Sequence, residues 1–259
     1  MIHVGTSGFS YDDWVGPFYP DSLPKRDRLR YYARRFGCVE VNFTYYRMPN
    51  ARTLSAMAAK TGDDFRFVIK ANSTMTHERD AGPETFREFV TALEPLIDAG
   101  KFGCILAQFP HSFKPDAQNA DYIKRFREQI PELPVVVEFR NRRWVCQGTF
   151  DLLRELDLGF CCVDEPQLPG LMPRIAVATS GVGYVRFHGR NARMWWQHEH
   201  AWQRYDYLYR EEELREWAAK TRKLAQHTSE TYVFFNNHYQ AQAVANASLF
   251  EQLLEEDDR

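Results

Sequence analysis

The chain has 259 residues, of which 44% are hydrophobic and 15% aromatic, and its formal net charge is -2. This length and apolar content are typical of one large α/β barrel domain. The small net charge excludes a protein whose whole surface is basic, so bulk nucleic-acid binding is not indicated, although a local basic groove is compatible with it.

Cysteine usage and the lengths of the apolar runs indicate the compartment. The five cysteines contain no C-x-x-C pair, which does not favour a disulfide framework or a zinc site. The first predicted strand begins at Ile2, so we expect no signal peptide. No apolar run reaches the roughly 18 residues that cross a bilayer. We therefore expect a soluble, cytoplasmic protein without a membrane partner.

Short apolar runs alternate with longer patterns of helical spacing along the chain. The runs predict strands at residues 2–6, 38–43, 65–71, 102–109, 135–139, 160–163, 183–188 and 231–235. The helical spacing, with Gly or Pro at many of the ends, predicts helices at 25–36, 50–61, 83–99, 117–130, 150–156, 211–226 and 241–254. Residues 165–182 hold three prolines and two glycines, which predicts an irregular connection.

This order of elements favours an α/β fold, a single (β/α)8 TIM barrel in which residues 1–259 form one domain. The main competing fold is an open, doubly wound sheet. No G-x-G-x-x-G or G-x-x-x-x-G-K-[ST] motif follows the first strand, which removes the commonest reason for choosing that fold.

Polar residues occur at the carboxyl ends of the predicted strands. Successive strand residues face opposite sides, so we assign the apolar set of each strand to the helices and the polar set to the barrel interior. The carboxyl ends of barrel strands meet at one mouth, where barrel enzymes place their chemistry. The side chains expected there are Ser7, Glu40, Asn42, Lys70, Gln108, Glu138, Arg140, Asp164, Arg186, His188 and Asn236.

Two interpretations fit these charges. They could form buried ion pairs, such as Glu40 with Lys70 or Glu138 with Arg186. They could instead bind a ligand, since the interior of a barrel built only for stability would consist mostly of Val, Ile and Leu. Buried ion pairs often contribute little net stability compared with apolar packing of similar volume. The number of charges at one mouth therefore favours ligand binding.

An aromatic segment follows the seventh strand and contains Arg190, Arg193, Trp195 and Trp196. A loop of this length is suited to cover the mouth, where Trp faces stack on sugars or bases and Arg binds phosphate or carboxylate. Simple packing of the loop over the barrel rim is the alternative. Ser7, just before Gly8, could help to cradle an anion with backbone N–H groups.

Seven blocks of sequence follow one another along essentially the whole chain. They are residues 5–11 with Trp14, 40–47 with Pro49, 65–70 with Thr76 and His77, 108–110, 138–140 with Trp144, 184–189, and 234–237 with Asn246 and Ala247. Together they resemble the domain-of-unknown-function 72 family, also called YecE-like. The resemblance implies a TIM barrel and assigns no function. Phe9, Phe43 and Asn141 stand where Trp, Ser and His are usual in the family, so we give position 141 no catalytic weight.

The favoured hypothesis is an enzyme acting on a small anionic substrate, such as a phosphorylated or sugar-like compound. Lys70, Arg140 and Arg186 would hold the anion, and Trp195 or Trp196 would close over it. The remaining polar side chains of the mouth would contact the rest of the substrate.

For the chemistry, Glu138 or Glu40 would be the general base and His188 its acid or base partner. Two carboxylates and a histidine suit a hydrolase, a lyase or an isomerase. The sequence identifies no cofactor and leaves the oligomeric state open.

Two alternatives belong to other classes. A divalent-metal enzyme would use Glu40, Glu138, Asp164 and His188 as ligands, although the neighbouring Lys and Arg would repel a metal. A non-catalytic binder of nucleotide or nucleic acid would use Arg190, Arg193 and the Trp pair, and its affinity would fall steeply with salt.

Overall fold

Parallel strands form a closed barrel in the computed structural model, which describes residues 1–256. The strands are β1 (Ile2–Ser7), β2 (Cys38–Val41), β3 (Arg66–Lys70), β4 (Phe102–Gln108), β5 (Val135–Glu138), β6 (Leu158–Asp164), β7 (Val182–Phe187) and β8 (Glu230–Phe235). Each strand pairs with the next one in the chain, and β8 pairs with β1 to close the barrel. The predicted (β/α)8 barrel is confirmed.

Helices alternate with these strands, and local sequence sets several of their starts. They are α1 (Arg28–Tyr32), α2 (Phe43–Tyr46), α3 (Ala51–Ala58), α4 (Pro83–Asp98), α5 (Ala117–Gln129), α6 (Gln147–Glu155), α7 (Ala201–Arg204), α8 (Glu211–Ala225) and α9 (Gln242–Glu256). The side chains of Asn50 and Asp116 accept hydrogen bonds from the backbone N–H groups of Thr53 and Asn119, which caps α3 and α5. Pro83 occupies the first position of α4, where its missing N–H costs nothing.

Apolar residues bury the strands on both faces. Residues 135–137 of β5 are each at most 1% exposed, and such a continuous run is typical of parallel strands covered on both sides. Trp217 of α8 and Phe250 of α9 pack against Phe187 of β7. With the outer surface covered by helices, polar groups concentrate at the strand ends.

The second strand is shorter than predicted. It ends at Val41 rather than at Phe43, and the next residues turn into α2. The Thr44 hydroxyl donates to the backbone carbonyl oxygen of Lys70 at 2.6 Å, which holds this turn against β3. As a result, the ring of Tyr45 lies beside the carboxyl end of β3.

The helix predicted at residues 25–36 is also shorter. Lys25–Asp27 form a 3-10 turn, and only Arg28–Tyr32 are α-helical. The buried guanidinium of Arg28 donates to the carbonyl oxygen of Tyr11 and to the carboxylate of Asp12. This helix therefore depends on contacts with the preceding loop, which helical periodicity does not reveal.

No helix within residues 1–256 is both long enough and apolar enough to span a membrane. The cytoplasmic location expected from the sequence stays a prediction.

Candidate functional site

The strand ends bring most of the predicted polar side chains to one mouth of the barrel. Glu40 of β2, Glu138 of β5 and Arg186 of β7 form one buried network. Lys70 and Gln108, the last residues of β3 and β4, are hydrogen-bonded to each other. These five side chains, expected to meet from the sequence, do lie together.

Arg186 lies at the centre of the ionic network. Its Nη1 donates to Glu138 Oε2 at 2.5 Å and its Nη2 to Glu40 Oε1 at 2.6 Å, while the Tyr184 hydroxyl donates to Glu40 Oε2 at 2.7 Å. The Glu138–Arg186 pair considered from the sequence is therefore present. Arg186 is 2% exposed and both carboxylates are fully buried. Burial alone would lower the pKa of Arg186, but Glu138 and Glu40 raise it well above its ordinary value, so the guanidinium stays charged.

Glu138 connects this network to Arg140 and His188. Its Oε1 lies 2.5 Å from Arg140 Nε and 3.1 Å from His188 Nε2. On the other side of the imidazole, Nδ1 lies 3.1 Å from Nδ2 of Asn236. Burial, and then the charge of Arg140, lower the pKa of His188 to about 3, so the ring is neutral at physiological pH. We infer that it donates from Nε2 to Glu138 and accepts at Nδ1 from Asn236.

These contacts bear on the base and acid roles assigned to Glu138, Glu40 and His188. Burial would raise the pKa of Glu138, but Arg140 and Arg186 lower it well below its ordinary value, which makes this carboxylate a weak base. Both ring nitrogens of His188 already have partners. The geometry suits these three side chains to positioning the two guanidinium groups more than to exchanging protons with a substrate.

Lys70 provides an amine at the mouth. Its Nζ donates to Oε1 of Gln108 at 3.0 Å and lies 4.4 Å from the centroid of the Tyr45 ring. No carboxylate within residues 1–256 forms an ion pair with it, so the Glu40–Lys70 pair considered from the sequence is absent. Burial, and then the charge of Arg186, lower the pKa of Lys70 to about 7. A large share of this amine is therefore unprotonated near neutral pH.

A pocket of about 240 Å³ opens at the mouth. The polar and aromatic side chains that line it include His77, Gln108, Arg140, Trp195, Trp196 and Tyr205. Trp195 is buried, with the Arg204 guanidinium 5.3 Å from its ring centroid, whereas Trp196 is 52% exposed and meets His111 edge-on. The aromatic segment that was expected to cover the mouth thus supplies two of the pocket walls.

Several buried polar atoms at this end of the barrel have no hydrogen-bond partner within the described part of the chain. Among them are Oγ of Ser7 at the end of β1, Oδ1 of Asn42 just after β2, and Nε of Arg186. A buried polar atom without a partner costs about 1–3 kcal/mol unless water or a ligand satisfies it. These atoms therefore mark a place where bound water or a polar ligand would be stabilised.

The mouth does not resemble a metal centre. Among residues 1–256, no group of three or more His, Cys, Asp or Glu side chains is arranged to hold a metal ion. Glu40 and Glu138, two of the ligands considered from the sequence, bind the Arg186 guanidinium instead.

Asp164, expected inside the mouth, faces the helices instead. Its carboxylate accepts hydrogen bonds at 2.7 Å from Trp217 Nε1, from the Tyr209 hydroxyl and from Arg190 Nη2. The predicted orientation was wrong because the apolar run 161–163 offers no alternation from which to read the phase of β6. Cys161 faces the interior beside the ionic network, so Asp164, three residues further on, points outward.

The family described as "Protein of unknown function DUF72" matches residues 3–259 of the sequence. The chain belongs to the DUF72 family. It is similar to the UPF0759 protein YunF of Bacillus subtilis (strain 168), with 30% identity over 271 residues that cover 98% of this chain and 95% of YunF. It is also similar to the UPF0759 protein YecE of Escherichia coli (strain K12), with 30% identity over 151 residues that cover 57% of this chain and 52% of YecE. The family expected from the sequence blocks is confirmed.

Two solved structures of DUF72 proteins share the barrel along nearly the whole chain. The crystal structure of a DUF72 family protein from Thermotoga maritima MSB8 has 43% sequence identity and a TM-score of 0.91, and the match covers 98% of this chain and 99% of that one. The crystal structure of a DUF72 family protein from Enterococcus faecalis V583 has 27% identity and a TM-score of 0.87, over 98% of this chain and 96% of that one. These likenesses support the fold, and none of the names states an activity.

Sequence reasoning missed Glu165, which follows β6 at the mouth of this DUF72 barrel. The residue is fully buried, and its Oε1 accepts the backbone N–H of Met172 at 2.8 Å. Its Oε2 lies 3.6 Å from Arg140 Nη1 and has no hydrogen-bond partner within residues 1–256. Burial raises the pKa of Glu165 to about 7, although Arg140 opposes this shift. The sequence did contain a signal for Glu165, because two acids are adjacent at the end of β6. If Asp164 faces the helices, the next residue, Glu165, faces the mouth.

His77 also lines the pocket without having been predicted as a site residue. It lies in the π-helical turn Thr74–Glu78, and its Nδ1 is 3.1 Å from Oγ1 of Thr76. Its ring meets Tyr45 edge-on, which links the pocket wall to the aromatic face beside Lys70. Burial, and then the charge of Lys70, lower the pKa of His77 to about 4, so this imidazole is neutral at physiological pH.

Proposed function

We propose that this DUF72 chain is an enzyme that uses acid–base chemistry on a small, polar, anionic substrate bound at the barrel mouth. One observation carries the proposal. The guanidinium of Arg140 lines the pocket, and Lys70, hydrogen-bonded to the pocket residue Gln108, is an amine that loses its proton near neutral pH. An anion-binding group thus lines the pocket, and a proton-exchanging group contacts one of its lining residues.

The charges of the mouth favour an anion. At the strand ends the charged groups are the three cations Lys70, Arg140 and Arg186 and the two carboxylates Glu40 and Glu138. One positive charge is left over in this cluster when Lys70 is protonated and Glu165 is neutral, and the guanidinium of Arg204, which lines the same pocket, adds another. An anionic group on the substrate would balance this charge, and a guanidinium can bind a carboxylate or a phosphate through two hydrogen bonds.

The size of the pocket favours a small molecule. The pocket volume is about 240 Å³. This is the volume that about eight molecules of liquid water occupy, at roughly 30 Å³ each. Pockets for drug-sized ligands are larger, at roughly 300–1,000 Å³. A phosphorylated or sugar-like compound of few atoms is therefore the substrate class we propose, with Trp195 and Trp196 as walls.

Two groups that titrate near neutral pH supply the proton transfer. The pKa of Lys70 is lowered to about 7 and that of Glu165 is raised to about 7, which places both in the range where general acids and bases work best. We assign the proton exchange to these two groups. Glu138, Glu40 and His188 act, in this proposal, by positioning the guanidinium groups.

The nucleotide-binding alternative has less support. Arg190, one of its predicted contacts, is bound by the carboxylates of Asp164 and Glu213. Trp195 is 1% exposed, so its face is not free to stack on a base. We therefore do not propose nucleic acid as a partner.

Calorimetric titration of inorganic phosphate into the full-length protein tests the anion site. The Arg140→Gln variant should bind phosphate roughly 10- to 100-fold more weakly, because a hydrogen bond to a charged group contributes about 1.5–3 kcal/mol. Arg140→Lys should fall between, since it keeps the charge without the paired hydrogen bonds. Arg143→Gln, an exposed arginine three residues away, is the matched control and should bind like the wild type. Equal affinities for wild type and both Arg140 variants, or no phosphate binding by the wild type, would contradict the proposal.

A further inference from the structure

The surroundings of Lys70, at the end of β3, differ from those of the buried Lys101, which lies just before β4. Nζ of Lys101 donates to two backbone carbonyl oxygens, those of Ala58 and Thr61, and lies 4.0 Å from the carboxylate of Asp63. Nζ of Lys70 has a single side-chain acceptor, the neutral amide oxygen of Gln108 at 3.0 Å. The structure therefore does little to hold a proton on Lys70.

Both cations and carboxylates surround Lys70. The cations Arg186 and Arg140 disfavour a third positive charge, whereas Glu138 and Glu40 favour it. Both carboxylates, however, are already bound by the guanidinium groups, at 2.5 and 2.6 Å. The centroid of the Tyr45 ring lies 4.4 Å from Nζ of Lys70. Neighbouring cations favour the neutral form of an amine, and the neutral amine is the nucleophilic form.

An anion-binding group lies close to this amine. Gln108 contacts Lys70 through Oε1 and lines the same pocket as Arg140. Lys70 itself is half-buried. A small molecule with an anionic end at Arg140 would lie in the pocket that Gln108 lines, next to the residue that contacts Lys70 Nζ.

We propose that Nζ of Lys70 is a nucleophile that forms an imine with the carbonyl group of a small substrate whose carboxylate or phosphate is held by Arg140. This inference rests on the proposed function and names its substrate class, a carbonyl compound that carries an anionic group. Lys70 thereby becomes a catalytic residue that bonds to the substrate, beyond its part in proton exchange.

The step needs no oxidant, reductant or metal. The nitrogen lone pair of the free amine attacks the carbonyl carbon, a C–N bond forms, and the carbonyl π electrons move to oxygen, which takes up a proton while the nitrogen loses one, giving a carbinolamine. The hydroxyl group then takes up a second proton, the C–O bond breaks, and the oxygen leaves as water while the nitrogen lone pair forms the C=N bond. The nitrogen loses its remaining proton to give the neutral imine. The net change is amine plus carbonyl giving imine plus water.

Reductive trapping tests the proposal on the intact chain. The protein is incubated with glycolaldehyde phosphate or with pyruvate, and in parallel with their uncharged counterparts glycolaldehyde and acetone, always with sodium cyanoborohydride. Digestion and mass spectrometry then locate and count the reduced adducts at each lysine. Labelling at exposed Lys114 in the same sample is the internal reference, because dividing by it cancels the intrinsic reactivity of each carbonyl.

We expect Lys70 to be labelled at least tenfold faster than Lys114 by an anionic probe, and this preference to be much smaller for the uncharged counterpart. The two anionic probes distinguish a carboxylate from a phosphate. Lys70→Arg should remove the adduct, whereas Lys114→Arg should leave the labelling of Lys70 unchanged. As pH rises, labelling of Lys70 should level off above about pH 7, whereas an amine with the ordinary lysine pKa of about 10.4 would continue to gain reactivity.

Labelling of Lys70 no faster than Lys114 with every probe would overturn the imine. If phosphate still bound through Arg140 in that case, the proposed function would stand without it. Equal preference for charged and uncharged probes would overturn the anionic substrate class. Because the readout is the position of the adduct in the wild-type chain, it does not depend on the folding of a variant.

Discussion

Replacing Glu138 by Gln should destabilise this protein far more than the same replacement at a surface ion pair. The Glu138 carboxylate is fully buried and contacts Arg186, Arg140 and His188. Gln keeps the size of the side chain but removes its charge, which leaves two buried guanidinium groups undercompensated. Removing one partner of a buried ion pair costs about 3–5 kcal/mol. We expect the free energy of unfolding to fall by that amount.

Urea denaturation at neutral pH, followed by tryptophan fluorescence and far-UV circular dichroism, measures this loss. Glu84→Gln is the matched control, because Glu84 is 90% exposed and lies 2.6 Å from Arg87 in a surface pair. Exposed pairs of this kind contribute about 0–1 kcal/mol. A loss at Glu138→Gln as small as that of the control would refute the reasoning, since it would mean that the network is not desolvated.

Two further predictions concern acids that sequence reasoning misplaced or missed. Asp164→Asn removes the charge that binds Arg190 and weakens the contacts to Trp217 and Tyr209, so we expect a loss of about 3 kcal/mol or more in urea denaturation; a loss below 1 kcal/mol would contradict the assigned role. For Glu165, burial raises the pKa from 4.5 to about 7, so the folded state keeps a proton that the unfolded state releases, and stability is lost as pH rises through this range. Relative to Glu165→Gln, the wild type should lose about 3 kcal/mol between pH 4 and pH 8; parallel pH profiles for the two proteins would contradict the shift.

The fold could be predicted from the sequence because each strand is a compact apolar run and each helix has its own spacing and end signals. The closure of the barrel followed from their number and order. The end of β2 was misplaced since the turn at Thr44 depends on a hydrogen bond to the backbone of Lys70, which local sequence does not show.

The site could be predicted in part. Glu40, Glu138 and Arg186 alternate with apolar residues, which shows that they face the barrel interior. Their meeting at the mouth could therefore be predicted. The sequence could not show which acid binds which base. In the structure Glu40 and Glu138 both bind Arg186, and no carboxylate within the described residues forms an ion pair with Lys70. In β6 the uninterrupted apolar run does not show which residues face the barrel interior. Asp164 was therefore expected at the mouth, where the structure has Glu165.

The most direct test of an anion site beside a reactive amine is an NMR titration of the protein with ¹³C-labelled lysine Cε, using Lys70→Arg to assign the Lys70 signal. We predict that Lys70 titrates near pH 7, and that phosphate raises this midpoint because a bound anion stabilises the ammonium form. A Lys70 signal that titrates near the ordinary value of 10.5 and does not move with phosphate would contradict the account.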